Sequence, residues 1–129
     1  MNTYGTELES KLLEAIRSTF PGWEIENPNQ RRHQEAYEKW KIDHGNACYF
    51  TEMLLPECRG GVFLAFRDGR WGAGIFNEAK ALQEAGQPIW QITPNGHVTT
   101  LQSMDEIVPL SVPETRQRVY KQDGSTKPY

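Results

Sequence analysis

The stretch GVFLAFRDGRWGAGIFNEA, residues 61–79, joins an uncharged run to a glycine-rich turn and the start of an amphipathic segment. Its first six residues do not alternate between apolar and polar, which is typical of a strand covered on both faces in a parallel sheet. Apolar residues then recur at helical spacing up to Gly86, and the run PIWQI at 88–92 predicts another strand. Strand, helix and strand within about thirty residues predict a right-handed parallel crossover.

The sequence that follows this crossover predicts a hairpin and a last helix. The Asn-Gly dipeptide at 95–96 lies between two β-rich runs, which is a strong hairpin signal. We therefore expect Val98–Leu101 to turn back antiparallel on Ile89–Ile92. Ser111 and Glu114 have the spacing of a capping box and predict the start of a helix.

The N-terminal half predicts three helices and one short strand. Thr6 and Glu9 have capping-box spacing, and an apolar stripe over 8–20 ends at a Pro-Gly pair. In residues 23–27, Trp23, Ile25 and Asn27 alternate with Glu24 and Glu26, which predicts a short strand. Two further amphipathic helices are expected over 30–45 and 46–56.

These elements predict a single α/β domain over residues 1–121, followed by a polar tail over 122–129. A chain of 129 residues is long enough for one core and too short for two of ordinary size. We expect a three-layer arrangement around a sheet of about four strands, mostly parallel, with the antiparallel hairpin near its C-terminal end. The tail is expected to be loose.

Charge and composition narrow the class of partner. Lys and Arg number 14 against 17 acidic residues, giving a net charge of −3, and no basic stripe is present, which argues against polymeric nucleic acid as a partner. No apolar run approaches a signal sequence or membrane span, so we expect a cytoplasmic protein and no membrane partner. Cys48 and Cys58 are too few for a disulfide framework, and the histidines lack metal-ligand spacing. We expect no metal and no cofactor.

The glycine loop, which we define as residues 67–74, is the predicted ligand site. Loops at the carboxyl ends of parallel strands collect ligands, and a helix N-terminus with flexible backbone favours an anion such as a phosphate or carboxylate. The expected ligand-binding residues of this loop are Arg67, Gly69, Arg70, Trp71, Gly72 and Gly74. The alternative is structural: a tight Asp-Gly turn at Gly69, close helix packing at the other glycines, and Trp71 as a lid over the core.

Two carboxylates supply the candidate chemistry. Asp68 lies in the loop and Glu78 lies near the start of the following helix. A carboxylate can attack the anomeric carbon of a sugar while a second acid protonates the departing base. Glu78 can equally be a first-turn acid that compensates the helix dipole, so its catalytic role stays one of two alternatives.

The order of these segments resembles the nucleoside 2-deoxyribosyltransferase-like superfamily over about residues 6–92. The resemblance implies a flavodoxin-like or Rossmann-like α/β fold, nucleoside or nucleotide binding, and cleavage or transfer of an N-glycosidic bond. It also implies a glutamate nucleophile on the helix after the glycine loop, where Glu78 lies. As an enzyme the protein would use Glu78 or Asp68 as the nucleophile, with the other carboxylate assisting. Phe76 stands where the family's G-x-G-x-E run has its glutamate, and Glu78 comes two residues later, turned by about 200° on a helix. Phe76 favours the alternative of a non-catalytic ligand-binding or oligomerisation module.

The resemblance has further implications at the two ends of the chain. Family members begin with a buried strand whose following loop reaches the site, and the segment around Tyr4 resembles that loop, so Tyr4 is a candidate ligand-binding residue. The family's first strand has no counterpart in this sequence. Either the true start of the chain lies further upstream, or the sheet closes differently, with a neighbour's strand or by dimerisation, and we expect a homo-oligomer, a dimer. The segment 127–129 is then either an arm that completes a neighbour's site or part of a loose tail.

Overall fold

The computed structural model describes Thr3, residues 5–27, Glu35, and residues 58–105 and 107–129. Within these ranges the chain forms an α/β fold of three helices and a three-stranded mixed sheet. The elements in chain order are α1 (Glu7–Thr19), β1 (Gly61–Leu64), α2 (Ala73–Glu84), β2 (Ile89–Ile92), β3 (Val98–Leu101) and α3 (Val112–Val119). The helices expected over 30–45 and 46–56 lie outside the described residues, Glu35 excepted, and Tyr4 is outside them too.

The sheet contains the predicted crossover and the predicted hairpin. β1 pairs in parallel with β2, with Gly61 opposite Ile89, and α2 connects the two strands. β3 then pairs antiparallel with β2, with Leu101 opposite Ile89. The strand order is therefore β1-β2-β3, and the parallel connection through α2 and the antiparallel hairpin are confirmed.

Helix boundaries follow the capping signals in the sequence. The Thr6 side chain accepts a hydrogen bond from the Glu9 N–H at 3.3 Å at the start of α1. At the start of α3, the Ser111 hydroxyl accepts from the Glu114 N–H, and the Glu114 carboxylate accepts from the Ser111 N–H. These caps satisfy N–H groups that have no partner inside their helices.

The core lies between α2 and the sheet face that carries Phe63. Ala79 and Leu82 of α2 are almost fully buried against this face, and a side chain at Gly61 would clash with Leu82. The cluster is completed by residues from the strands and loops, namely Ala65, Trp71, Ile89 and Met104. Burial of this apolar surface holds α2 against β1, so the glycine loop that joins them starts and ends on packed elements.

Two expectations are wrong. Residues 23–27 form no strand, and the Trp23 side chain is 52% exposed. The alternating pattern was compatible with a strand, but no described strand pairs with this segment, and a strand needs a hydrogen-bonding neighbour. The tail is not loose, because Tyr120 bridges to Thr126 and the Lys127 N–H donates to the Val119 carbonyl at 2.7 Å.

Candidate functional site

The glycine loop begins with a tight turn over residues 66–70. The Gly69 N–H donates to the Phe66 carbonyl at 2.8 Å, and the Phe66 N–H donates to the Arg70 carbonyl at 2.9 Å. Gly69 has φ +85°, a left-handed conformation that costs other residues free energy. An Asp68 carboxylate oxygen accepts from the Arg70 N–H at 3.1 Å. This pattern is a three-residue turn closed by a glycine bulge.

The same turn occurs at two further places in the part of the chain that the structure describes. In residues 93–97 and 121–125, the glycine N–H again donates to the carbonyl three residues earlier, and the first and last residues pair through N–H to O. Gly96 and Gly124 have φ +88° and +85°. The residue before each glycine, Asn95 or Asp123, accepts from the N–H two residues on. The Asp-Gly pair of the loop therefore serves a backbone turn that this chain uses elsewhere.

Asp68 also holds α3. One Asp68 oxygen lies 2.8 Å from an Arg118 guanidinium nitrogen, and the Arg118 side chain lies 5.3 Å from the centroid of the Phe66 ring. The hydrogen bond from Arg118, followed by the one from the Arg70 N–H, lowers the pKa of Asp68 below its ordinary value. Asp68 is therefore ionised at neutral pH and tied to the protein on both sides.

Arg67 is engaged by the tail. Its Nε donates to the Tyr129 backbone oxygen at 3.0 Å, and its guanidinium lies 4.6 Å from the centroid of the Tyr129 ring. The Tyr129 hydroxyl donates to the carbonyl of Ala65, the first residue after β1. Burial raises the pKa of the Tyr129 hydroxyl. The tail thus reaches the carboxyl end of β1 in its own chain.

Trp71 fills the core below the loop. Its side chain is 2% exposed, its ring centroid lies 5.9 Å from that of Phe63, and its Nε1 donates to the Gln91 side chain at 3.2 Å. Its carbonyl accepts from the Leu110 N–H at 2.8 Å. A buried indole with a satisfied N–H contributes mainly to packing.

The N-terminus of α2 is partly capped by α3. The Ala73 N–H donates to the Thr115 hydroxyl at 3.0 Å, and an added Cβ at Gly72 would lie 3.2 Å from the Thr115 methyl. Gly74 is exposed, and nothing lies within 4 Å of the position of an added Cβ. Among the described residues, no acceptor takes the N–H of Gly74 or Ile75. The N–H groups of Gly74 and Ile75 are therefore donors without a described acceptor, and the surface at Gly74 is open.

Glu78 lies on the flank of α2 beside the fully buried Ala79. Its neighbours one turn away on the helix are Gly74, Ile75, Ala81 and Leu82, of which Gly74 is exposed and Leu82 is buried. Burial raises the pKa of the Glu78 carboxyl to about 7. No described residue forms a hydrogen bond or ion pair with that carboxyl. With a pKa of about 7, its neutral and ionised forms are both populated near neutral pH.

The structure therefore divides the predicted site residues. Arg67, Asp68 and Gly69 form the turn and its ties to α3 and the tail, Trp71 is in the core, and Gly72 packs on α3. Glu78 and Gly74 lie one turn apart on α2, and within the described ranges the Arg70 side chain makes no hydrogen bond or ion pair.

Two contributors were missed by sequence reasoning, namely Thr115 and Arg118 as partners of the loop. Tyr129, expected either to complete a neighbour's site or to lie in a loose tail, contacts the loop of its own chain. The helical spacing of α3 was visible, but no local signal shows which face of α3 meets the loop. An open depression in the described structure is lined by residues of β3 and the segment after it, and by none of the predicted site residues. Among the described residues, no group of three or more His, Cys, Asp or Glu side chains could hold a metal ion.

No known protein family, curated protein or solved structure matches this chain. None of the helices in the described ranges is long and apolar enough to cross a membrane.

Proposed function

We propose that this protein binds a nucleoside or nucleotide beside the N-terminal half of α2 and cleaves or transfers its N-glycosidic bond. The observation that carries the proposal is the Glu78 carboxyl, which is partly buried, has a pKa of about 7 and lacks a described partner. A carboxyl whose pKa burial brings near neutrality is a candidate acid, base or nucleophile, because both protonation states are populated at the working pH.

The two carboxyls are suited to different roles. Asp68 stays ionised because Arg118 and the Arg70 N–H stabilise its charge, whereas burial favours the neutral form of Glu78. Pairs of carboxyls with separated pKa values divide acid and charge-stabilising roles in glycoside chemistry. In this proposal Glu78 is the reacting group, either as the nucleophile at the anomeric carbon or as the proton donor to the departing base. Asp68 assists in two ways: it links the glycine loop to α3 through Arg118, and its negative charge stabilises positive charge that develops on the sugar.

The anionic part of the ligand has donors available on the same side of α2. The N–H groups of Gly74 and Ile75 lack described acceptors, and a helix N-terminus favours negative charge. Arg70 can add a charge-assisted bond, while Arg67 is already held by Tyr129. No metal or redox group is needed for this chemistry.

The proposed architecture is the three-layer α/β arrangement around a four-stranded sheet. Trp90 alternates with the residues that face α2, and its ring lies 4.7 Å from that of Phe20, which follows α1. This contact supports α1 as the layer opposite α2. A fourth strand would lie beside β1, whose outer edge has no described partner.

The protein is incubated with a panel of 2′-deoxynucleosides and their 5′-monophosphates, and the free base that is released is measured by chromatography. Wild-type protein is expected to release base from at least one member, and Glu78→Ala is expected to abolish the release. Glu84→Ala, at an exposed position of the same helix, is the matched control. Asp68→Ala is expected to slow release through loss of the loop's tie to α3. Release by Glu78→Ala at the wild-type rate would refute the assignment.

The second candidate is a binding module without turnover. Phe76 stands where the resemblance expects the nucleophile, and most of the loop's polar groups are already paired within the protein. Nucleotide-dependent thermal stabilisation that Arg70→Ala weakens, with no base release by wild-type protein, would favour this candidate.

A further inference from the structure

β3 forms one end of the described sheet, and no described strand pairs with its outer edge. Thr99 and Thr100 are both exposed, although successive side chains of a strand point to opposite faces. At the other end of the sheet, none of the four residues of β1 is exposed. The described structure therefore leaves the β3 edge, rather than the β1 edge, accessible from both faces.

The hairpin fixes which backbone groups of β3 point away from β2. The Thr93 N–H donates to the His97 carbonyl at 2.9 Å, so this pair is hydrogen-bonded, and every second pair along the ladder is hydrogen-bonded too. Thr99 and Leu101 consequently bond to β2. Val98 and Thr100 direct their N–H and C=O groups outward, where no described backbone group pairs with them.

The edge lacks the features that protect outer strands from association. Residues 98–104 contain no charged residue and no proline, both of which commonly block edge pairing. An open depression lined by residues 100–103 and 105 lies at the C-terminal end of this strand.

We propose that a second copy of this chain pairs antiparallel with β3, which joins the two sheets across a two-fold axis at Thr99. In this register Val98 of each copy lies opposite Thr100 of the other, so the outward groups of both strands meet their complements. Thr99 faces the same residue of the second copy, and threonine pairs are favourable across strands. A second copy fits because the pairing is self-complementary, as a two-fold interface requires. The proposal is independent of the catalytic role of Glu78.

The test is sedimentation equilibrium of the full chain over a wide concentration range. Wild-type protein is expected to dimerise, and Thr99→Lys and Thr99→Glu are each expected to weaken the dimer at least about tenfold, because like charges meet at the axis. An equimolar mixture of the two variants is expected to regain the dimer. Ser18→Lys, at an exposed position on α1, is the control that should dimerise as wild type does.

Thr100→Pro provides a second probe that does not depend on charge. It removes an outward N–H and leaves the bonds of β3 to β2 in place, so the dimer should be lost while the circular dichroism of the folded chain is retained. A monomeric wild-type protein at all concentrations, or Thr99→Lys and Thr100→Pro variants that dimerise as wild type does, would overturn the proposal.

Discussion

The Thr115 hydroxyl of α3 accepts the Ala73 N–H at the start of α2 at 3.0 Å, and the same hydroxyl donates to the Ser111 carbonyl at 2.8 Å. Gly72, the residue before α2, has no side chain with which to cap the helix itself. One helix therefore supplies the cap of another, and this contact sets the position of the glycine loop relative to α3.

Replacing Thr115 by valine should lower the free energy of unfolding by about 1 kcal/mol, because the isosteric side chain leaves the Ala73 N–H without its acceptor. Thr115→Ser keeps the hydroxyl and should cost less. Chemical denaturation of the two variants measures the difference. Equal stability of Thr115→Val and wild-type protein would mean that the cap contributes nothing.

The two glycines at the start of α2 should respond in opposite ways to alanine. Gly72→Ala places a Cβ 3.2 Å from the Thr115 methyl and 3.6 Å from the Phe66 ring, so we expect a loss of about 1 kcal/mol or more. Gly74→Ala meets nothing within 4 Å and should stabilise the helix by up to about 1 kcal/mol. Denaturation curves of the pair test this. If ligand lies against the Gly74 backbone, Gly74→Ala should also weaken nucleotide binding while the fold gains stability.

The turn at Gly69 should be sensitive to any side chain because of its backbone conformation. At φ +85°, Gly69→Ala should cost about 1–2 kcal/mol even though space for a Cβ exists. Gly69→Asn should cost less, because asparagine tolerates the left-handed region. Thermal melts of the two variants decide the point, and an alanine variant as stable as wild type would contradict the strain argument.

The stability of the protein should depend on pH through Glu78. Its pKa is raised from 4.5 to about 7 by folding, so the folded state binds the proton more tightly than the unfolded state. The stability associated with the neutral carboxyl is present below pH 4.5 and is lost as the pH rises to about 7, a loss on the order of 3 kcal/mol. Glu78→Gln should remove this dependence.

The measurement is denaturant unfolding of wild-type, Glu78→Gln and Glu84→Gln proteins at a series of pH values. The difference between wild type and Glu78→Gln isolates this carboxyl from all other titrating groups. A wild-type slope that Glu78→Gln leaves unchanged would show that Glu78 is solvated in the folded protein.

Local signals in the sequence predicted the secondary structure well where a capping or turn residue marks it. The caps at Thr6 and Ser111 and the hairpin at Asn95 lie where their side chains can satisfy backbone groups within a few residues. The alternating segment 23–27 failed because a strand depends on a distant edge, which no local pattern specifies.

The candidate site was harder to predict because its contacts are distant in sequence. Arg67 and Asp68 were visible as charged loop residues, but their partners Tyr129 and Arg118 lie more than forty positions further along the chain. The glycines of the loop also have separate structural reasons: a left-handed turn at Gly69 and a close approach at Gly72. Only the three-dimensional arrangement distinguishes Gly69 and Gly72, which have structural roles, from Gly74, where the surface is open.

The catalytic assignment of Glu78 is tested by a carboxyl NMR titration of the protein labelled at its glutamates, with Glu78→Gln used to assign the Glu78 signal. We predict a midpoint of about 7 for the free protein and a displaced midpoint when a 2′-deoxynucleoside 5′-monophosphate is bound. An ordinary glutamate midpoint that no nucleoside or nucleotide of the panel displaces would contradict the claim that Glu78 is the reacting group of a nucleotide site.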